Sequence, residues 1–184
     1  MIKVDGQLDW LVGDVRRLPS PNCDDRAVGE VVDLLVVHGI SLPPGEFGGP
    51  YIDALFTNSL DENAHPYFKQ IAGVQVSAHL LIRRDGEVVQ YVPFTQRAWH
   101  AGASCFAGRE RCNDFSIGIE LEGCDELPYE PVQYQRLAQL ARLLMAAFPA
   151  ITPERIAGHC EIAPGRKSDP GACFDWPHFR SLLA

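Results

Sequence analysis

The chain lacks the features that send a protein into a membrane, onto nucleic acid or into a disulfide scaffold. No apolar stretch approaches the ~18 residues that a membrane span requires. The opening Met1-Ile2-Lys3-Val4-Asp5-Gly6 has no basic segment followed by an apolar run, so it carries no secretory signal and the chain as given reads as cytoplasmic. Basic residues are outnumbered: 16 Lys and Arg against 24 Asp and Glu leave a net charge of -8. That argues against general nucleic-acid binding, which needs a basic face, though not against a local basic pocket for an anionic substrate. The six cysteines (Cys23, Cys105, Cys112, Cys124, Cys160, Cys173) contain no C-x-x-C pair, which argues against a thiolate zinc knuckle. Their spacing is irregular, and 184 residues can bury a core without staples, so free thiols are expected. Repeats, low-complexity tracts and linkers are also missing, and residues 1–184 read as one domain.

What is present is a mixture of short strands and helices. Val31-Val32-Asp33-Leu34-Leu35-Val36-Val37-His38 is a β-branched run that reads as a buried strand ending at His38-Gly39, with Asp33 its one polar interruption. The Pro- and Gly-rich segment from Ser41 to Pro50 is a loop. Residues 51–72 carry a weak helical pattern, with Tyr51, Leu55, Tyr67, Phe68 and Ile71 inward. Val76 to Arg83 and Val88 to Val92 flank Asp85-Gly86, a strong hairpin signal. In Phe115-Ser116-Ile117-Gly118-Ile119-Glu120-Leu121 the alternation puts Glu120 on the face opposite the isoleucines. The clearest helix is 131–147, opened by Pro131 and striped by Leu137, Leu140, Ala141 and Leu144. A short strand leads into His159, and a last helical turn covers Pro177 to Leu183. Together these predict an α/β (α+β) fold with a single mixed sheet flanked by helices.

The tail segment Gly158-His159-Cys160-Glu161-Ile162-Ala163-Pro164-Gly165-Arg166-Lys167-Ser168-Asp169-Pro170-Gly171 brings a His, a Lys and an Asp into one punctuated loop. Singly, His38 is a strand cap, His159 a loop residue and Asp169 a turn former. Together they form a His2Asp set, and two imidazoles with one carboxylate suit a catalytic zinc ion because three ligands leave one position open for water. Glu120 ends an apolar strand. Desolvation there raises its pKa toward working pH and suits it to proton transfer. Glu122 better fits an edge-strand solubilising charge. Lys167, otherwise a solvated charge or a partner of Asp169, is a cation suited to a developing oxyanion. His79 reads as a satisfied core or outer-shell histidine, His100 as part of an aromatic loop lining a cleft, and His65 and His178 as surface residues.

Six ordered segments carry a resemblance. They are Val36-Val37-His38-Gly39-Ile40-Ser41-Leu42-Pro43-Pro44-Gly45-Glu46-Phe47-Gly48; Val76-Ser77-Ala78-His79 with Arg83-Arg84-Asp85-Gly86; Gln90-Tyr91-Val92-Pro93-Phe94; Ala98-Trp99-His100-Ala101-Gly102; Ser116-Ile117-Gly118-Ile119-Glu120-Leu121-Glu122-Gly123; and the tail loop. The chain, from Trp10 to Trp176, resembles the 1,6-anhydro-N-acetylmuramyl-L-alanine amidases, zinc-dependent N-acetylmuramoyl-L-alanine amidases related to the peptidoglycan recognition proteins. The resemblance implies Zn2+ on His38, His159 and Asp169, proton transfer by Glu120 and transition-state stabilisation by Lys167. It also implies substrate contacts from Trp99, Ala163 and Arg166. The implied substrate is an anhydro-muropeptide, cut between the lactyl group of 1,6-anhydro-N-acetylmuramic acid and L-alanine during cell-wall recycling in the cytoplasm. Nucleic acid and membrane have no part in that role, and loss of the enzyme would raise β-lactamase induction. One departure is visible: the family usually has Asn after the first ligand, and Gly39 stands there. A non-catalytic module that binds peptidoglycan fragments, an amidase acting on intact murein and, more distantly, a Cys160-based amidase are the alternatives.

Overall fold

The two long strands form in apolar runs, Leu34–Ile40 and Ser116–Glu122. In chain order the computed structural model, which describes residues 2–183, has β1 (Arg16–Arg17), β2 (Leu34–Ile40), α1 (Tyr51–Phe56), β3 (Leu80–Ile82), β4 (Val88–Gln90), β5 (Ser116–Glu122), α2 (Pro131–Ala147), β6 (Ile156–Gly158), α3 (His159–Ile162) and α4 (Trp176–Ser181). Met1 and Ala184, the ends of the expected 1–184 domain, lie outside the described residues.

Six strands make one mixed sheet in the order β6-β2-β5-β3-β4-β1. β5 runs parallel to both neighbours, β2 and β3, and β6 runs parallel to β2. β3 and β4 form the antiparallel hairpin expected around Asp85-Gly86, where Gly86 takes a φ of 87°. All seven residues of β5 are buried, as befits a parallel strand covered on both faces.

Several local expectations change, and the strands expected over Val76 to Arg83 and Val88 to Val92 shorten to Leu80–Ile82 and Val88–Gln90. β2 begins at Leu34 rather than Val31, because the Asp33 carboxylate pairs with Arg155 at 2.7 Å and Val31 stays 56% exposed. The helical pattern over 51–72 splits in two. Asn58, at a φ of 57°, follows the end of α1, and Pro66 opens a separate 3-10 turn over Pro66–Ile71. Glu122 is not a solubilising edge charge. β5 lies inside the sheet, and Glu122 is 2% exposed. Its carboxylate accepts from the Gly48 N–H at 2.7 Å, the Arg84 N–H at 3.2 Å and the Arg83 guanidinium at 3.3 Å, tying two loops to the strand end. All six cysteines are free, as expected.

α2 spans Pro131–Ala147 as its stripe predicts, with the Gln133 side chain accepting from the Glu130 N–H at 3.0 Å. Leu137, Leu140, Ala141 and Leu144 pack on Leu35, Val37, Ile117, Ile119 and Leu121, one face of the sheet. Each fully buried aliphatic side chain contributes about 1.5–3 kcal/mol there. The opposite face carries two smaller clusters. One gathers Ile52, Phe56, Phe68 and Tyr91 over Leu81 and Val89, and the other gathers Ala101, Phe115 and Ile162 over Leu34, Val36 and Ala157. On that face β5 offers Ser116, Gly118 and Glu120, which belong to neither cluster. The gap over the central strand is where the site forms.

Candidate active site

His38 and Glu120 sit side by side in register near the C-terminal ends of β2 and β5, the end of a parallel sheet where ligands bind. His159 follows β6 directly as the first residue of α3. Asp169 is brought back by the tail loop, whose Asp169 carbonyl accepts from the Cys160 N–H at 2.9 Å. Residues far apart in the chain thus meet: His38 Nδ1 lies 3.0 Å from His159 Nδ1, and Asp169 Oδ2 lies 3.0 Å from the second and 3.2 Å from the first.

Three acceptor atoms this close repel one another unless a cation lies among them. Ligand atoms about 2.0–2.1 Å from a tetrahedral zinc stand about 3.3 Å apart, close to the spacing seen. The donor set therefore fits a metal ion of that size and preference. His38 and His159 are 1% and 3% exposed. Burial pushes the His38 imidazole down to about 4, only partly opposed by Asp169, so it stays neutral as a ligand must. For Asp169 burial favours the protonated form, but the two imidazoles against it, His159 and His38, outweigh that and hold the carboxyl well below the usual range.

Glu120 is 8% exposed, and its Oε2 is buried without a hydrogen-bond partner. Burial, and then the Asp169 charge, raise its pKa well above the ordinary carboxylate value, while the Lys167 charge works the other way. A carboxyl with its pKa raised in this way is suited to taking and returning a proton. Glu120, Lys167, His38, His159 and Asp169 line one cavity of about 260 Å³, with an apolar wall that includes Leu42, Ile71 and Val74. Asp169 pairs with the two imidazoles and not with Lys167, whose side chain is exposed at the rim.

Two of the three substrate residues expected from the resemblance lie next door. Ala163 and Arg166 line a second cavity, of about 480 Å³, with Arg111 and Glu110. Arg166 donates to the Ala101 carbonyl at 2.6 Å and the Ala103 carbonyl at 2.8 Å. Trp99 is half-buried and stands in neither wall, although its backbone is bonded to Ser77 of the first cavity. His79 is the satisfied core histidine expected of it. Its Nδ1 accepts from the Gly118 N–H at 3.0 Å, its Nε2 faces the Gln96 carbonyl at 3.1 Å, and burial pushes its pKa down to about 3.

Several supporting residues escaped the sequence reading. Asn113 Oδ1 accepts from the His100 and Ala101 N–H groups at 3.1 and 2.7 Å, which fixes the segment beside His159. Arg26, whose pKa burial lowers to about 10, donates to the Asp114 and Ser116 carbonyls at 2.8 Å each. Gly118 had a signal, since a glycine inside a strand often marks a close approach. A Cβ there would lie 2.6 Å from the His100 ring.

A mixed sheet whose strand ends gather a metal-competent His–His–Asp set beside a desolvated carboxyl defines a hydrolase rather than a passive binding surface. Comparison with known proteins narrows that class: the N-acetylmuramoyl-L-alanine amidase family matches residues 28–172, and the chain belongs to it. It is 65% identical to the 1,6-anhydro-N-acetylmuramyl-L-alanine amidase AmpD of Salmonella typhimurium (strain SL1344), over 95% of this chain and 92% of the relative. A crystal structure of a selenomethionine AmpD derivative superposes with a TM-score of 0.91 at 62% identity, covering 95% of this chain and 97% of that one. The E. coli amidase AmiD, solved with anhydro-N-acetylmuramic acid-L-Ala-D-gamma-Glu-L-Lys as substrate, superposes with a TM-score of 0.61 at 29% identity, over 98% of this chain and 65% of that one.

Proposed function

We propose that this chain hydrolyses the amide between the lactyl group of 1,6-anhydro-N-acetylmuramic acid and the L-alanine of the stem peptide, with zinc held by His38, His159 and Asp169. The observation that carries the reading is the meeting of His38 Nδ1, His159 Nδ1 and Asp169 Oδ2 within 3.0–3.2 Å beside buried Glu120. It is supported by 65% identity to a relative named for that activity. Zinc supplies Lewis acidity, polarising a carbonyl and lowering the pKa of water from ~16 to roughly 7. Glu120 accepts the proton of the attacking water and returns it to the departing amine, a task for which its raised pKa suits it. Lys167, at the cavity rim, faces the oxyanion as it develops. Trp99, Ala163 and Arg166 are assigned to the substrate, with the Arg166 charge directed to the stem-peptide carboxylates. Recycling of cell-wall fragments in the cytoplasm is the setting that this substrate implies.

The decisive experiment measures release of free tripeptide from purified anhydro-muramyl tripeptide before chelation, after it, and after zinc is restored. Activity should vanish with the metal and return with it. A metal-free protein that cuts at the original rate sinks the reading. Parallel assays on reduced muropeptides and whole sacculi should give much slower release, and equal rates would make the chain a general murein amidase.

A further inference from the structure

The far side of the His38 ring is held by a third imidazole. His38 Nε2 lies 2.9 Å from His100 Nδ1, and His100 Nε2 lies 3.1 Å from Ser116 Oγ. Ser116 Oγ in turn lies 2.6 Å from the Cys112 carbonyl oxygen. The direction of this chain is fixed at its end. A carbonyl can only accept, so the Ser116 hydroxyl proton points at Cys112; were it turned toward His100, two oxygens would face each other at 2.6 Å. Ser116 Oγ must then accept from His100 Nε2–H. His100 Nδ1 is left as an acceptor, and His38 Nε2–H donates to it. The Nδ1 of His38 therefore carries a bare lone pair, on the atom that faces His159 and Asp169.

His159 is set by the same logic from one carbonyl. Its Nε2 faces the Ala101 oxygen at 3.2 Å and an Arg166 guanidinium nitrogen at 3.4 Å; that nitrogen spends both its protons on the Ala101 and Ala103 carbonyls, so Nε2 bears the proton toward Ala101 and Nδ1 is bare. Both imidazoles are thus held in the same tautomer by neighbouring parts of one loop segment, Ala101 directly and Cys112 through Ser116 and His100. The space for His100 exists because residue 118 is glycine: any Cβ would collide with the ring. His100 meets His38 on the side away from His159 and Asp169 and is not one of the three converging ligands.

We propose that His100, backed by Ser116 and admitted by Gly118, is a positioning residue that fixes the tautomer and orientation of His38 as a metal ligand. The inference rests on the zinc reading above and adds to it a residue whose role is to hold a ligand. Outer-shell partners of this kind typically contribute about 10–100-fold to metal affinity.

The test compares zinc dissociation constants, measured by competition with a chromophoric chelator, for the full chain and for His100→Leu, His100→Asn and His38→Ala. His100→Leu removes the acceptor and should weaken zinc about 10–100-fold. In His100→Asn the carboxamide oxygen can stand where Nδ1 was, and most of that affinity should return. Unchanged zinc affinity in His100→Leu, with His38→Ala losing zinc, overturns the positioning role alone. Unchanged affinity in His38→Ala overturns the metal reading itself. Nitrogen NMR of the zinc-loaded unsubstituted protein gives a check that needs no variant to fold. His100 should be protonated at Nε2 and bare at Nδ1, and the reverse tautomer overturns the proposal.

Discussion

Ile117, Ile119 and Leu121 leave β5 on one side, Ser116, Gly118 and Glu120 on the other, and the two faces obey different rules. The isoleucine face is a contact surface for α2, where Ile117 and Ile119 are 0% exposed and Leu121 1%. What matters there is volume and apolarity, so neighbours of similar size can share the work. On the other face each residue answers to particular partners: Ser116 to His100 and the Cys112 carbonyl, Gly118 to the space that ring fills, Glu120 to the cavity beside His38, Glu122 to the Gly48, Arg84 and Arg83 donors. Seven residues of one strand thus hold a core that tolerates exchange and a site that does not. The lesson is that burial alone does not separate packing from chemistry, since all seven residues of the strand are buried.

The harshest way to probe that contrast is at the site face. Glu120→Gln keeps shape and polarity but cannot take a proton, and kcat should fall by about 10²–10⁴-fold with zinc still bound. The check is turnover on anhydro-muramyl tripeptide alongside metal content. Near-normal turnover would mean that Glu120 is merely buried, and the two faces of β5 would differ less than proposed.

The contrast was partly legible before the structure. Alternation in Ser116–Glu122 separates the two faces, and the stripe of α2 names the helix that covers one of them. His38 and Asp169 were legible as candidates because a histidine ending a β-branched run and an acid in a Pro/Gly loop are few and distinctive. Glu122 was misread because nothing local distinguishes an edge strand from a central one; only the pairing of β5 with both β2 and β3 does. The chain from His38 through His100 and Ser116 to Cys112 was illegible for a related reason. Its links join four segments, and hydrogen-bond direction is set by a carbonyl that no motif marks. The split of 51–72 was half legible, since Pro66 was visible, but the positive φ of Asn58 was not.

A smaller effect sharpens the comparison through pH. His79 stands behind the site face, with its Nδ1 on the Gly118 N–H and its pKa lowered to about 3 from 6.5. Above pH 6.5 neither folded nor unfolded chain carries this proton, so the residue contributes no pH dependence. Below 6.5 the unfolded chain takes up the proton and the folded chain does not until about 3. Stability should therefore fall with pH across that window by roughly 1.4 kcal/mol per unit from this residue alone. His79→Asn, whose side-chain oxygen can accept from Gly118, should flatten the loss between pH 6.5 and 5 in urea unfolding. Parallel slopes for the two proteins would show that His79 is not held neutral by its burial.

The smallest expected change tests the apolar face. Ile119 is fully buried against α2, and Ile119→Val removes one carbon without adding polarity or reversing the strand's preference for β-branched residues. The expected cost is about 0.5–1.5 kcal/mol of stability, or a fall in Tm of a few degrees at about 2–4 °C per kcal/mol for a chain of this size. Turnover per folded molecule and zinc affinity should not move, because residue 119 and the cavity lie on opposite sides of the strand. A combined readout of Tm, kcat and zinc content separates the outcomes. If removing this carbon lowers kcat while the protein remains folded, the strand transmits packing to chemistry across its own thickness, and the two faces cannot be treated as independent.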